Sequence, residues 1–154
     1  MKKIISLIMA VGLLSSFTAS ETVWTEDSMH AQLNFSVMHF GISHVDGRFQ
    51  TFTVTMKSEK PDFSDAKIEM IADSKSINTE VEYRDTDLRS ASWFDAEKFP
   101  TLNFKSTSFT KVKGKNYKLK GNLTMHGITK SVEFNATLNG WAVTKTKKIP
   151  QGLP

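Results

Sequence analysis

From Ala31 to Leu138 the chain keeps returning to one local pattern, an apolar residue followed by a polar one. In HAQLNFSVMHF, Ala31, Leu33, Phe35 and Val37 alternate with Gln32, Asn34 and Ser36. AKIEMIA sets Ala66, Ile68 and Met70 on one side, and TLNFKS does the same with Leu102 and Phe104. YKLKGNLTM aligns Tyr117, Leu119, Leu123 and Met125, and SVEFNATLNG aligns Val132, Phe134, Ala136 and Leu138. A period of two is the pleat of a β-strand with one buried and one wet face. A single apolar face per strand suits an antiparallel sheet; strands of a parallel sheet, covered on both sides, read as continuous apolar runs. The expected architecture is all-β and antiparallel, with six strands at about 29–40, 47–57, 65–75, 101–111, 116–126 and 130–140.

One segment breaks phase. In VDGRFQTFTVTM, Phe49 is odd-numbered while Phe52, Val54 and Met56 are even. A β-bulge near Gln50–Thr51 would point all four inward and help the sheet bend. Turns fall at KGKN (113–116) and HGIT (126–129), where Gly and Asn tolerate tight geometry.

Between the third and fourth strands lies SINTEVEYRDTDLRSASWFDAEKFP, dense in charge. It reads as a short helical insertion. Thr79 and Glu82 form a T-x-x-E capping box. Glu80 and Arg84, and Asp85 and Arg89, are spaced i,i+4 with the acid first. Val81 and Leu88 share another face, Trp93, Phe94 and Phe99 make an aromatic cluster, and Pro100 stops the helix. Arg84 and Asp85 are expected as a partly buried ion pair fixing the helix.

Composition narrows the class. With 39% hydrophobic and 23% charged residues the chain is globular rather than disordered, and its length suits one domain with a real core. No cysteine is present, so no disulfide supports it. MKKIISLIMAVGLLSSFTAS has Lys2 and Lys3, an apolar run from Ile4 to Leu14, then small and polar residues: the grammar of a secretory signal peptide over 1–20, with Thr18 and Ser20 before a cut at Glu21. The run is too short to span a bilayer comfortably. A periplasmic or secreted protein is expected, with no stable membrane span after processing and no nucleic-acid partner. Loss of Lys2 and Lys3 leaves 18 basic against 16 acidic residues, so the charge falls from +4 to +2 and implies no particular partner. Lys111, Lys113, Lys115, Lys118 and Lys120 read as a solvated edge around a hairpin tip.

Catalysis finds little support. There is no cysteine, no G-x-S-x-G and no H-E-x-x-H, and the charge around Arg84, Asp85, Asp87 and Arg89 is explained by helix physics. No catalytic residue and no cofactor are assigned. Of the four histidines, His30, His39, His44 and His126, only His39 and His44 straddle a bend that could bring them together, and two ligands make a weak zinc site. An envelope enzyme using Arg84 and Asp85, or a metal-binding protein using His39 and His44, is the alternative reading.

The charged segment also carries a resemblance. Ser76-Ile77, Thr79, Arg84-Asp85, Leu88-Arg89-Ser90, Phe94-Asp95, Pro100 and Phe104 resemble the signature of the YceI-like family, the lipid- or polyisoprenoid-binding YceI-like domain. Trp24, His30, Phe35, His39, Gly47 and Phe49 are similar to its opening, and Gly121, Leu123, Thr124, Gly127, Thr129 and Val132 to its later hairpin. The match covers about 24–140. It implies an eight-stranded antiparallel, lipocalin-like β-barrel with an apolar tunnel for a polyisoprenoid or quinone-like lipid, serving lipid or quinone transport or envelope stress. Alternation alone fits a dry core as well. With the resemblance, the ligand-facing residues are expected to be Phe35, Val37, His39, Phe49, Ile68, Met70, Phe104, Leu123, Val132 and Phe134, with Arg84, Asp85 and Arg89 positioning the helix as a lid. After Trp141 the family pattern would add two strands, whereas AVTKTKKIPQGLP shows no sustained alternation. The expectation is a barrel domain over 21–144 lacking two strands, a basic tail over 145–154, and homodimerisation or wider self-association through open edges.

Overall fold

The computed structural model describes residues 21–140. The signal peptide and the basic tail expected from the sequence lie outside the described residues. Nine strands and one α-helix follow in the order β1 (Thr22–Thr25), β2 (Leu33–His39), β3 (Ser43–Phe49), β4 (Phe52–Ser58), β5 (Lys67–Asp73), β6 (Ile77–Asn78), α1 (Glu82–Arg89), β7 (Thr101–Lys113), β8 (Asn116–Met125) and β9 (Ile128–Thr137), with a single 3-10 turn at Ser74–Ser76. All ladders are antiparallel. A six-stranded sheet runs β1-β4-β5-β7-β8-β9, and a three-stranded sheet runs β2-β3-β6. Among the described residues the two sheets do not close on each other, and β9 and β2 are edges.

The phase break at Gln50–Thr51 is larger than a bulge. There the chain leaves one sheet and enters the other, so the expected strand at 47–57 is two strands. β3 pairs with β2 and β6, whereas β4 pairs with β1 and β5. Changing sheets lets Phe49 and Phe52 both reach the same core despite opposite parity. A bulge does occur in β7, where the register shifts between Ser106 and Ser108. It moves the inward face from Leu102 and Phe104 to Phe109. β1 and β6 are additional strands, too short for alternation to reveal.

The hairpin turns follow the glycines. His126 and Gly127 take φ of 50° and 69° between the paired Met125 and Ile128, as a two-residue type I′ loop requires. Gly114 at φ 58° opens the two-residue β7–β8 loop.

The core is split in two. At one end Phe49, Ala72, Ile77 and Leu102 are buried, with Leu33, Phe35, Phe52, Met70, Leu88 and Phe94 packed on them. At the other end Phe63, Ala66, Phe109 and Tyr117 are buried, with Trp24, Met56, Ile68, Leu119, Ala136 and Leu138 around them. The second cluster depends on a loop. Ser58 Oγ donates to Asp65 Oδ1 at 2.7 Å, and the Glu59 N–H donates to Oδ2 at 3.0 Å. These bonds close the β4–β5 connection and set Phe63 and Ala66 under the sheet. The Ser58 hydroxyl first, then the Glu59 amide, hold the Asp65 carboxyl down from 3.8 to about 2. A depressed carboxyl contributes stability that is complete above its unfolded value of 3.8 and is lost as pH falls through about 2. Acid titration of the melting temperature should therefore show a fall across that window that is shallower in Asp65→Asn. An unchanged slope in the variant would contradict the role.

Candidate functional site

The inward side chains of β5, β7, β8 and β9 align by register. Met70 pairs with Phe104, Phe104 with Leu123, Gly121 with Val132, and Leu119 with Phe134. Along β7, Leu102 belongs to the first cluster and Phe109 to the second. Phe104, Leu123, Val132 and Phe134 belong to neither. They form an apolar strip between two packed ends, and it extends outward to the β9 edge.

Gly121 makes the strip possible. The Phe104 ring lies over it, so closely that a Cβ there would meet two ring carbons at 2.4 Å and the Lys105 carbonyl oxygen at 2.5 Å. The Phe104 ring also meets Phe134 edge-on, centroids 5.6 Å apart. Gly47 plays the same part in the smaller sheet, seating the Phe35 ring, which then reaches Phe49 at 5.8 Å. These two glycines were not singled out for this role from the sequence. A glycine inside an alternating strand is the available signal, since it marks close approach of another group.

The expected ligand-facing residues divide by environment. Phe49 and Phe104 are buried; Phe35, Ile68, Met70, Leu123 and Val132 are half-buried. Val37 and Phe134 are 55% and 46% exposed, on the edge strands β2 and β9. His39 is exposed near the end of the β2–β3 hairpin, its ring tilted against Phe40 with centroids 4.2 Å apart, rather than joining the apolar strip. His39 and His44 do not converge. The ladder pairs His39 with Ser43 and His44 with Met38, which puts the two imidazoles on opposite faces, and His44 Nδ1 contacts Ser36 Oγ at 3.1 Å.

The helix is held differently from the sequence expectation. Thr79 does not cap it. The helix begins at Glu82, its N-cap is Val81 with no side-chain cap bond, and Glu80 has a positive φ of 63°. Instead, Asp85, 2% exposed, accepts hydrogen bonds from the Thr79 hydroxyl and, at 2.9 Å, from the Thr79 N–H. Arg84 Nε donates to Thr79 Oγ1 at 2.7 Å and its Nη2 to the Thr79 carbonyl at 2.9 Å. Arg84 and Asp85 thus meet through Thr79, not as a direct ion pair. The two i,i+4 pairs are absent as well. Glu80 bonds to Arg48 at 2.8 Å, and Arg89 bonds to Glu82 at 3.3 Å and to the carbonyls of Lys75 and Ile77. Leu88 packs on the first cluster but Val81 is exposed. The three charged residues strap α1 to the Lys75–Thr79 segment over one end of the core.

A cleft of about 520 Å³ lies elsewhere, lined by Asn34, Phe35, Ser36, Asp46, Gly47, Arg48, Asn78 and Glu80. Six of these eight residues are polar or charged, Arg48 is paired with Glu80, and Phe35 is the one expected ligand-facing residue among them.

A six-stranded antiparallel sheet with an apolar strip, beside a three-stranded sheet and a helix strapped over one end of the core, is a barrel-type β architecture left open among the described residues. The pattern of the YceI-like domain matches residues 24–151. A UPF0312 protein of Vibrio parahaemolyticus is 32% identical over 134 residues, covering 87% of this chain and 71% of the relative. The crystal structure of a Campylobacter jejuni YceI protein superposes with a TM-score of 0.62 at 28% identity, covering 79% of this chain and 71% of that one. A polyisoprenoid binding domain from Saccharophagus degradans, implicated in plant cell wall breakdown, superposes with a TM-score of 0.55 at 14% identity, covering 77% and 66%, a likeness of fold alone. The chain belongs to the YceI-like family and has that family's antiparallel barrel fold.

Proposed function

We propose that this protein is an exported, non-enzymatic carrier that holds one long apolar lipid, a polyisoprenoid or quinone-like chain, along the strip between its two core clusters. The observation that carries the reading is the split core. Phe104, Leu123, Val132 and Phe134 continue the inner face yet lie outside both packed clusters. A dry core would be expected to run through. The polyisoprenoid-binding neighbour supports the ligand class. Burying ten CH₂ groups at about 0.8 kcal/mol each gives roughly 8 kcal/mol before ordering costs, near micromolar affinity. Export rests on the Lys2-Lys3, apolar, Thr-Ala-Ser sequence. N-terminal sequencing of the envelope fraction should begin at Glu21, and intact Met1 in cytoplasm would refute it. The free β9 and β2 edges favour self-association, which light scattering across a dilution series would register.

Native mass spectrometry followed by organic extraction tests carriage. The purified protein should carry an apolar mass of several hundred daltons, in the order of a long-chain isoprenoid. Phe134→Ser removes a half-exposed ring and its edge contact with Phe104, so it should lower the melting temperature only modestly, leave the protein folded, and weaken lipid retention about tenfold or more. A folded wild-type protein without extractable lipid would rule out carriage.

A further inference from the structure

The β2–β3 hairpin ends in side chains that folding does not account for. Phe40 and Ile42 are 86% and 85% exposed, and Val37 and Met38 beside them are more than half exposed. None of the four joins either core cluster. The turn does not call for them. Phe40 sits at φ 51° and Gly41 at φ 72°, and the Ile42 N–H returns to the His39 carbonyl at 3.1 Å. Asn, Asp or Gly serves a left-handed turn position better than phenylalanine. Charge is also missing: no Asp, Glu, Lys or Arg stands between Asp27 and Asp46. The β7–β8 hairpin of the same molecule shows the ordinary solution, with Lys111, Lys113 and Lys115 around its turn.

We propose that this apex docks the protein on a lipid bilayer by inserting Phe40 and Ile42, with Met38 and Val37, at the boundary of headgroups and acyl chains. The proposal rests on the lipid-carrier reading, since a ligand insoluble in water must be exchanged with a membrane. Shape and area favour a bilayer over a protein. A stable protein interface buries about 800 Å² on each partner. Four side chains on a convex apex offer much less, and a bilayer needs no complementary surface. An uncharged apex also enters without the cost of desolvating an ion. With no Lys or Arg at the tip, attraction to anionic lipid contributes little, and binding is nearly insensitive to salt.

Flotation of the purified mature chain with phosphatidylcholine vesicles and with phosphatidylethanolamine–phosphatidylglycerol vesicles, at low and high salt, tests this. Wild type should float with both and at both salts. The double variant Phe40→Ser/Ile42→Ser should lose at least tenfold in bound fraction while its melting temperature and extractable lipid stay unchanged. Val112→Ser, at an exposed position near the β7–β8 turn, should float as wild type does. Undiminished flotation of the double variant overturns the proposal, as does flotation confined to anionic vesicles at low salt. Failure of the wild type to float also overturns it, and does so without touching the carrier reading if lipid is still extracted. A double variant that floats normally but shifts from dimer to monomer on size exclusion assigns the apex to a second copy and overturns bilayer docking. Flotation that depends on the apex in a protein with no extractable lipid supports the docking surface and removes the carried ligand.

Discussion

Gly121→Ala should destabilise this protein by about 3 kcal/mol, at the upper end of the cost of overpacking a core. The new methyl would stand 2.4 Å from the Phe104 ring and 2.5 Å from the carbonyl oxygen of Lys105. The ring is buried and held by Phe134, and the oxygen belongs to a strand fixed in the β7–β8 ladder, so neither can yield cheaply. Chemical denaturation should show a lower midpoint with little change in slope. Shortening the ring relieves the conflict. Gly121→Ala combined with Phe104→Leu should cost less than the sum of the two single changes, the non-additivity expected of residues in contact. Gly121→Ala within about 0.5 kcal/mol of wild type, the range of an ordinary surface substitution, would show that the ring does not need this seat. Gly47→Ala should be milder. The atom it meets nearest is the far end of the Phe35 ring, which is only half-buried and can shift, although the Thr79 methyl at 2.8 Å is buried and held.

Asp85→Ala carries the second large effect, about 3–4 kcal/mol, because hydrogen bonds to a charged group are worth roughly 1.5–3 kcal/mol each and both donors are left buried. The Thr79 N–H and hydroxyl would lose their shared acceptor, and Thr79 is itself buried. Asp85→Asn keeps an acceptor oxygen and loses the charge, so about half of that cost is expected. Arg84→Ala should cost less than Asp85→Ala, since its bonds to Thr79 are only part-buried and water can replace them. A direct buried Arg84–Asp85 ion pair would instead make the two losses comparable, since either leaves a buried charge unpaired. Thermal unfolding of the three variants decides between the two arrangements: Arg84→Ala as damaging as Asp85→Ala would restore the direct pair.

The charged segment shows why local pattern misled about partners while it was right about the element. A helix between the third and fourth expected strands is present as α1. The i,i+4 rule holds only when both residues are helical, and Glu80 lies outside at φ 63°, where its carboxylate reaches Arg48 across 32 positions of sequence instead. Asp85 is helical but faces Thr79, leaving Arg89 to bond the Lys75 and Ile77 carbonyls. A side chain's bond partner depends on which face tertiary packing buries, which spacing alone does not encode. The histidine pair failed for a related reason. The β2–β3 register sets His44 opposite Met38, one residue away from the alignment that would let it meet His39.

What the sequence by itself determined is the set of inward faces. Met70, Phe104, Leu123 and Val132 point the way alternation says, because the pleat makes side-chain direction a property of neighbours two residues apart. The turns at Gly114 and Gly127 were legible on the same local grounds, since positive φ selects glycine. Tertiary structure alone decided how those faces are used. It decided that the chain changes sheets at Gln50–Thr51, that β1 and β6 are recruited as strands, and that the inner face divides into two clusters with an apolar strip between them. Each outcome depends on pairings between residues far apart in the chain. Their free energy comes from burial against a particular neighbour, and alternation specifies a face but not the neighbour it meets.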